Sequence, residues 1–91
     1  MSFYTPEFTH EAMTRFRQLD LVVQEAALDV IEQMLTTATP PGVARRLPQP
    51  VIEMHDVVVT VAGRKHYIFV QAHVVAEGQK LRVVSIAAIT R

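Results

Sequence analysis

One change of rhythm constrains this chain more than any other feature. Up to residue 37 its apolar side chains return every third or fourth position, and after residue 50 they alternate every second one. The first period is that of one helical face and the second that of a pleated strand. Thr39-Pro40-Pro41-Gly42 divides the two, because proline cannot continue a helix. The predicted organisation is a single α+β domain over 1–91. It has a helical half (1–38), a Pro-rich connector (39–50) and a β-meander (51–91).

In the helical half the apolar stripe runs Ala12, Met13, Phe16, Leu19, Val23, Ala27, Val30, Met34. Thr9 suits an N-cap, with Glu11 in the first turn where the helix dipole favours an acid. The stripe widens at Leu21-Val22-Val23. This predicts a break, with Asp20 capping a second helix that runs to about Thr37. One bent helix is the alternative, since no Gly or Pro forces a stop. Ahead of these, Ser2–Phe8 reads as a short edge strand, because Pro6 would not suit a central one. The connector from Val43 to Pro50 reads as extended, with Arg45 and Arg46 exposed.

Three runs rich in Val, Ile, Tyr, Phe and Thr follow: Val51–Ala62, Lys65–Val75 and Lys80–Thr90. Ala62-Gly63-Arg64-Lys65 and Ala76-Glu77-Gly78-Gln79 supply the turns, each with a Gly able to take positive φ. Alternation then sorts the meander into two faces. Val57, Val59, Val61, Ile68, Val70, Val74, Val83, Ser85, Ala87 and Ile89 share the aliphatic one, expected to pack on Phe16, Leu19, Val23, Val30 and Met34. The other face mixes Met54, Val58, Phe69, Val84 and Ile86 with polar groups.

Those polar groups are the candidate site. With turns centred on the glycines, Met54 pairs with His73, His73 with Arg82, Asp56 with Gln71, and Gln71 with Val84. Asp56, Gln71, His73 and Arg82 then gather at one end, with Tyr67 toward the other. Such a set can move a proton or hold an anion, since imidazole titrates near neutrality and guanidinium presents a planar fork. An outer-face ion pair of Asp56 with Arg82 and no further role is the alternative.

Composition excludes several chemistries. The chain has no Cys, so a disulfide framework, a thiolate zinc site and a Cys nucleophile are ruled out. The histidines at 10, 55, 66 and 73 lack metal-ligand spacing, and the three glycines stand apart, so neither a metal nor a phosphate loop is expected. No cofactor is expected. Apolar runs reach only four residues, and the start lacks the marks of a secretory signal, so the expected location is the cytoplasm, off the membrane. Nine bases balance nine acids, but unevenly: residues 1–38 hold six acids and two bases, and 39–91 three acids and seven bases. Two short basic clusters, Arg45-Arg46 and Arg64-Lys65-His66, predict weak generic nucleic-acid binding.

Taken together, the residues resemble the RelE/ParE superfamily of bacterial toxins from toxin–antitoxin pairs. Three stretches carry the resemblance. They are Phe8-Thr9-His10-Glu11-Ala12 with Phe16 and Leu19; Asp56–Val61 with Gly63 and Tyr67-Ile68-Phe69-Val70; and Leu81–Thr90 ending in Arg91. The resemblance implies a toxin that inhibits growth through a host macromolecule, gyrase or ribosome, and a cognate antitoxin wrapped over helices and sheet. The ribosome-dependent RNases of the family are usually basic and often keep a Tyr or His near the C-terminus. This chain is neutral and has Arg91 there, which points to gyrase-directed, ParE-like action. His66 stands nearest the place of a family arginine, although alternation puts it on the aliphatic face. The expected binding residues are Arg82, His73, Gln71, Asp56, Tyr67, Arg64 and Arg91. Whether the chain is an enzyme stays open. The rival reading is a non-enzymatic binding or inhibitor module, or a dimerising domain, and the uncovered apolar sheet face would suit a homodimer.

Overall fold

A computed structural model describes residues 3–48 and 50–91. The elements run β1 (Thr5–Phe8), α1 (His10–Gln18), α2 (Leu21–Thr37), α3 (Pro41–Ala44), β2 (Val51–Val61), β3 (Arg64–Val75) and β4 (Lys80–Thr90). The three meander strands are antiparallel, and β1 joins beside β4 in parallel, giving a four-stranded sheet in the order β1-β4-β3-β2. β1 is thus an edge strand, as Pro6 predicts. The expected strand begins at Thr5, and Ser2 lies outside the described residues.

Thr9 caps α1, its hydroxyl accepting from the Ala12 N–H at 3.2 Å. The helical half then breaks into two helices. Leu19 and Asp20 turn extended (ψ 150° at each), and the Gln24 side chain donates to the Leu19 carbonyl at 2.9 Å. Asp20 holds the N-cap position of α2, but its side chain makes no capping hydrogen bond. The connector differs from expectation. It opens with the short helix α3, with Pro41 at its N-terminus, where a fixed φ and a missing N–H cost nothing.

The core lies between the helices and one sheet face. Val23, Ala27, Val30, Ile31 and Met34 of α2 pack with Ile68, Val70, Ala72 and Val74 of β3 and with Leu81, Val83 and Ile86 of β4. Phe16 and Leu19 are half-buried at its margin, Phe16 meeting Phe8 edge to face with ring centroids 5.7 Å apart. Val57, Val59 and Val61, expected in the core, are only half-buried because they sit on edge strand β2.

Two registers depart from expectation. The β2–β3 turn is the two-residue loop Ala62-Gly63, with Val61 opposite Arg64 and φ of 51° and 78°. Both positive angles mark the turn that matches strand twist. It is centred one residue earlier than expected, so Met54 faces Gln71 and Asp56 faces Phe69. In β4, Gln71 faces Ser85 while Ala72 faces Val83, leaving Val84 as an extra, bulged residue. The bulge exchanges the faces beyond it. Ile86 is therefore buried, whereas Ser85 is exposed and Ile89 is 49% exposed, the reverse of the expected assignment for Ser85, Ala87 and Ile89.

Candidate functional site

The face of the sheet away from the helices carries the site residues, in rows set by cross-strand pairing. The first row is Ile52, His73, Arg82 and Glu7. Here the expected neighbours His73 and Arg82 do lie side by side. Arg82 is engaged, however: its Nε lies 3.3 Å from Glu7 Oε1, and Lys80 Nζ lies 3.4 Å from Glu7 Oε2. The Oε2 atom is buried and, among the described residues, accepts no hydrogen bond. One carboxylate thus sits between two cations at the β1–β4 seam.

The second and third rows hold Met54, Gln71 and Ser85, then Asp56, Phe69 and Ala87. They enclose a shallow depression of about 160 Å³, lined by Met54, Asp56, Phe69, Gln71 and Ser85. Asp56 and Gln71 share this hollow on adjacent rows, and Asp56 is two rows from Arg82. The expected cluster of Asp56, Gln71, His73 and Arg82 is therefore divided. The earlier turn moves Asp56 one row onward, and Arg82 takes Glu7 as its partner instead.

The fourth row is Val58, Tyr67 and Ile89, and Lys65 lies beside Arg91 through backbone hydrogen bonds of 2.9 and 2.8 Å. Tyr67, Phe69, Ile89 and Arg91 line a second depression of about 250 Å³. Among the described residues, Arg64, Lys65 and Arg91 form no ion pair, so the unneutralised positive charge of the sheet sits at this turn end. Strand alternation turns Arg64 toward the other side, away from Tyr67. His66 also faces the helix side, with Nδ1 2.9 Å from the Thr90 hydroxyl oxygen.

Glu7 was missed by sequence reasoning, since only the parallel pairing of β1 with β4 brings it to Arg82, and Lys80, two residues along β4 from Arg82, then becomes its second cation. Ser85 was missed because the bulge alone turns it outward. Among the described residues no three His, Asp or Glu side chains gather as a metal site, and no helix is long and apolar enough to cross a membrane. The arrangement offers an apolar band, Met54, Val58, Phe69 and Ile89, between a neutralised charged row and a cationic end.

No family model and no curated protein matches the sequence. Solved structures match its fold. A double arginine-to-alanine mutant of the E. coli toxin RelE in the free state is 16% identical, with a TM-score of 0.63 over 96% of this chain and 83% of that one. A chain of the intact E. coli RelBE toxin–antitoxin complex is 17% identical, with a TM-score of 0.60 over 97% of this chain and 99% of that one. The isolated E. coli RelE toxin is 18% identical, with a TM-score of 0.61 over 97% and 86%. The chain has the α+β fold of the RelE-like toxins, as its sequence resemblance implies. Each of these solved chains is E. coli RelE or belongs to its complex with an antitoxin, and at this identity the likeness is one of fold.

Proposed function

We propose that this protein is the toxin of a toxin–antitoxin pair, inhibiting growth when free of its antitoxin. The observation that carries the reading is the extent of the likeness: it spans nearly the whole chain, and it holds for RelE alone and for RelBE, a complex with an antitoxin. The half-apolar outer sheet face supports it, because an uncovered patch of this kind suits a protein partner. Gyrase-directed action, expected from the neutral charge, finds no support in these likenesses, each of which is to RelE. Of the two targets the family resemblance implies, the ribosome is retained.

A second reading keeps the scaffold without toxicity, as a binding module. The Glu7 carboxylate favours it, since it neutralises the arginine best placed to meet an anionic target. Induced expression in a bacterial host separates the two. Arrested growth, with cell-free translation inhibited and gyrase supercoiling untouched, is the expected result. Normal growth together with normal translation would leave the binding module as the reading.

A further inference from the structure

The two edges of the sheet are built in opposite ways. β1 is four residues long, contains Pro6, and ends in the Glu7 ion pairs with Lys80 and Arg82. Shortness, proline and charge are the devices that keep an edge from pairing with another chain. β2 has neither of the first two, and its charge is limited to Glu53 and Asp56. It is eleven residues long, Val51–Val61, with no Lys, Arg, Pro or Gly, and its pairing with β3 runs without a bulge. Its outward side chains include Ile52 (51% exposed), Met54 (73%) and Val58 (50%), while Val57, Val59 and Val61 on the helix side stay half-buried.

We propose that β2 is the interface of a homodimer, in which a second copy adds its own β2 antiparallel about a two-fold axis at Val58. The two sheets then form one eight-stranded sheet. An isologous pairing must place residues symmetrically about its centre, which leaves few registers. A centre at Asp56 sets carboxylate against carboxylate, a destabilising pair. A centre at Val57 leaves each Asp56 against Val58. A centre at Val58 sets Val57 against Val59 and His55 against Val61, and gives Asp56 the Thr60 hydroxyl as a donor. That register pairs 55–61 of each copy and matches β-branched side chains across the seam. The self-complementarity of this strand is what selects a second copy as its occupant. The proposal stands independently of the toxin reading.

The chain contains no cysteine, so a single introduced one reports the register directly. In the proposed dimer the two Val58 Cα atoms lie within disulfide reach, about 4.5–5.5 Å. The two Thr60 residues are four residue rises apart, roughly 13 Å, which is too far. The full chain at tens of micromolar should sediment at twice the chain mass. Val58→Cys should cross-link at least about tenfold faster than Thr60→Cys under mild oxidation. Val58→Lys, at an exposed position, should keep the circular dichroism of the parent and sediment as a monomer. A monomeric parent chain, a Val58→Lys variant that folds and stays dimeric, or equal cross-linking of the two cysteine variants would overturn the proposal. A partner strand from another protein would show itself as the first of these results.

Discussion

Glu7 holds two cations on one carboxylate, and at 34% side-chain exposure it is the least solvated member of the group. Exposed ion pairs contribute about 0–1 kcal/mol, so Glu7→Gln should lower stability by no more than about 1 kcal/mol in urea titrations. Its larger effect is electrostatic, because Arg82 and Lys80 lose their counter-charge. Glu7→Gln should elute from heparin at higher salt than the parent, and unchanged elution would mean that Arg82 stays sequestered by other contacts. Tyr4 is the second residue with a distinct prediction. Its hydroxyl donates to the Thr39 carbonyl, and Thr39 in turn donates to Glu53 through its N–H (3.1 Å) and hydroxyl (3.2 Å). Burial, and then the Glu53 carboxylate, hold the Tyr4 pKa above its ordinary value of 10.0, with Arg45 pulling the other way. The folded state therefore keeps this proton to higher pH than the unfolded chain. The associated stability is complete below pH 10 and falls as pH rises through the folded value. Tyr4→Phe should flatten that alkaline fall in the urea midpoint while losing about 1 kcal/mol at neutral pH with the hydrogen bond.

At the scale of elements, helices and strands were legible because their periods are set by residues that repeat. The break at Leu19-Asp20 showed as a widened stripe, and β1 as an edge through Pro6. Two single-residue events were not legible, and they decided the site. Ala62 takes a positive φ of 51°, a conformation that a reader assigns to Gly or Asn first. Asn-Gly is the favoured pair for this turn, so Ala62→Asn should stabilise the hairpin by about 1 kcal/mol in urea denaturation. The bulge at Val84 has no signature in a run of Val, Ser, Ile and Ala, since each neighbour tolerates either face. Its consequence is measurable. Ile86→Ala should cost about 2–5 kcal/mol, the range for a buried aliphatic residue, and Ile89→Ala well under half of that. Equal losses would show that β4 runs without the bulge.

Across the whole molecule, the charge asymmetry of the sequence becomes a spatial one. α2 carries Glu25, Asp29 and Glu32 and no base, while Arg64, Lys65 and Arg91 gather unpaired at the turn end of the sheet. Basic residues were visible from the start, but their division into a neutralised group and a free one was not, because it depends on which strand lies beside β4. Arg82 was the strongest candidate in the sequence and is the cation most fully answered by a carboxylate. On the outer face the free charge is that of Arg91, which lines one depression with Tyr67 and Phe69, and of Lys65 beside it, so a planar or anionic group would meet both ring faces and guanidinium there, while Arg64 adds charge from the other side of the same end. Any binding of generic single-stranded RNA should therefore be weak and confined to this end. Three cations release counterions from about three phosphates, so the slope of log affinity against log salt should be about −2. Charge reversal at Arg64, Lys65 and Arg91 should abolish that binding, and Arg82→Ala should leave it nearly unchanged. A slope steeper than about −4 would place the contact on a second surface as well, and would transfer the weight of the reading from the turn end to the row containing His73 and Arg82.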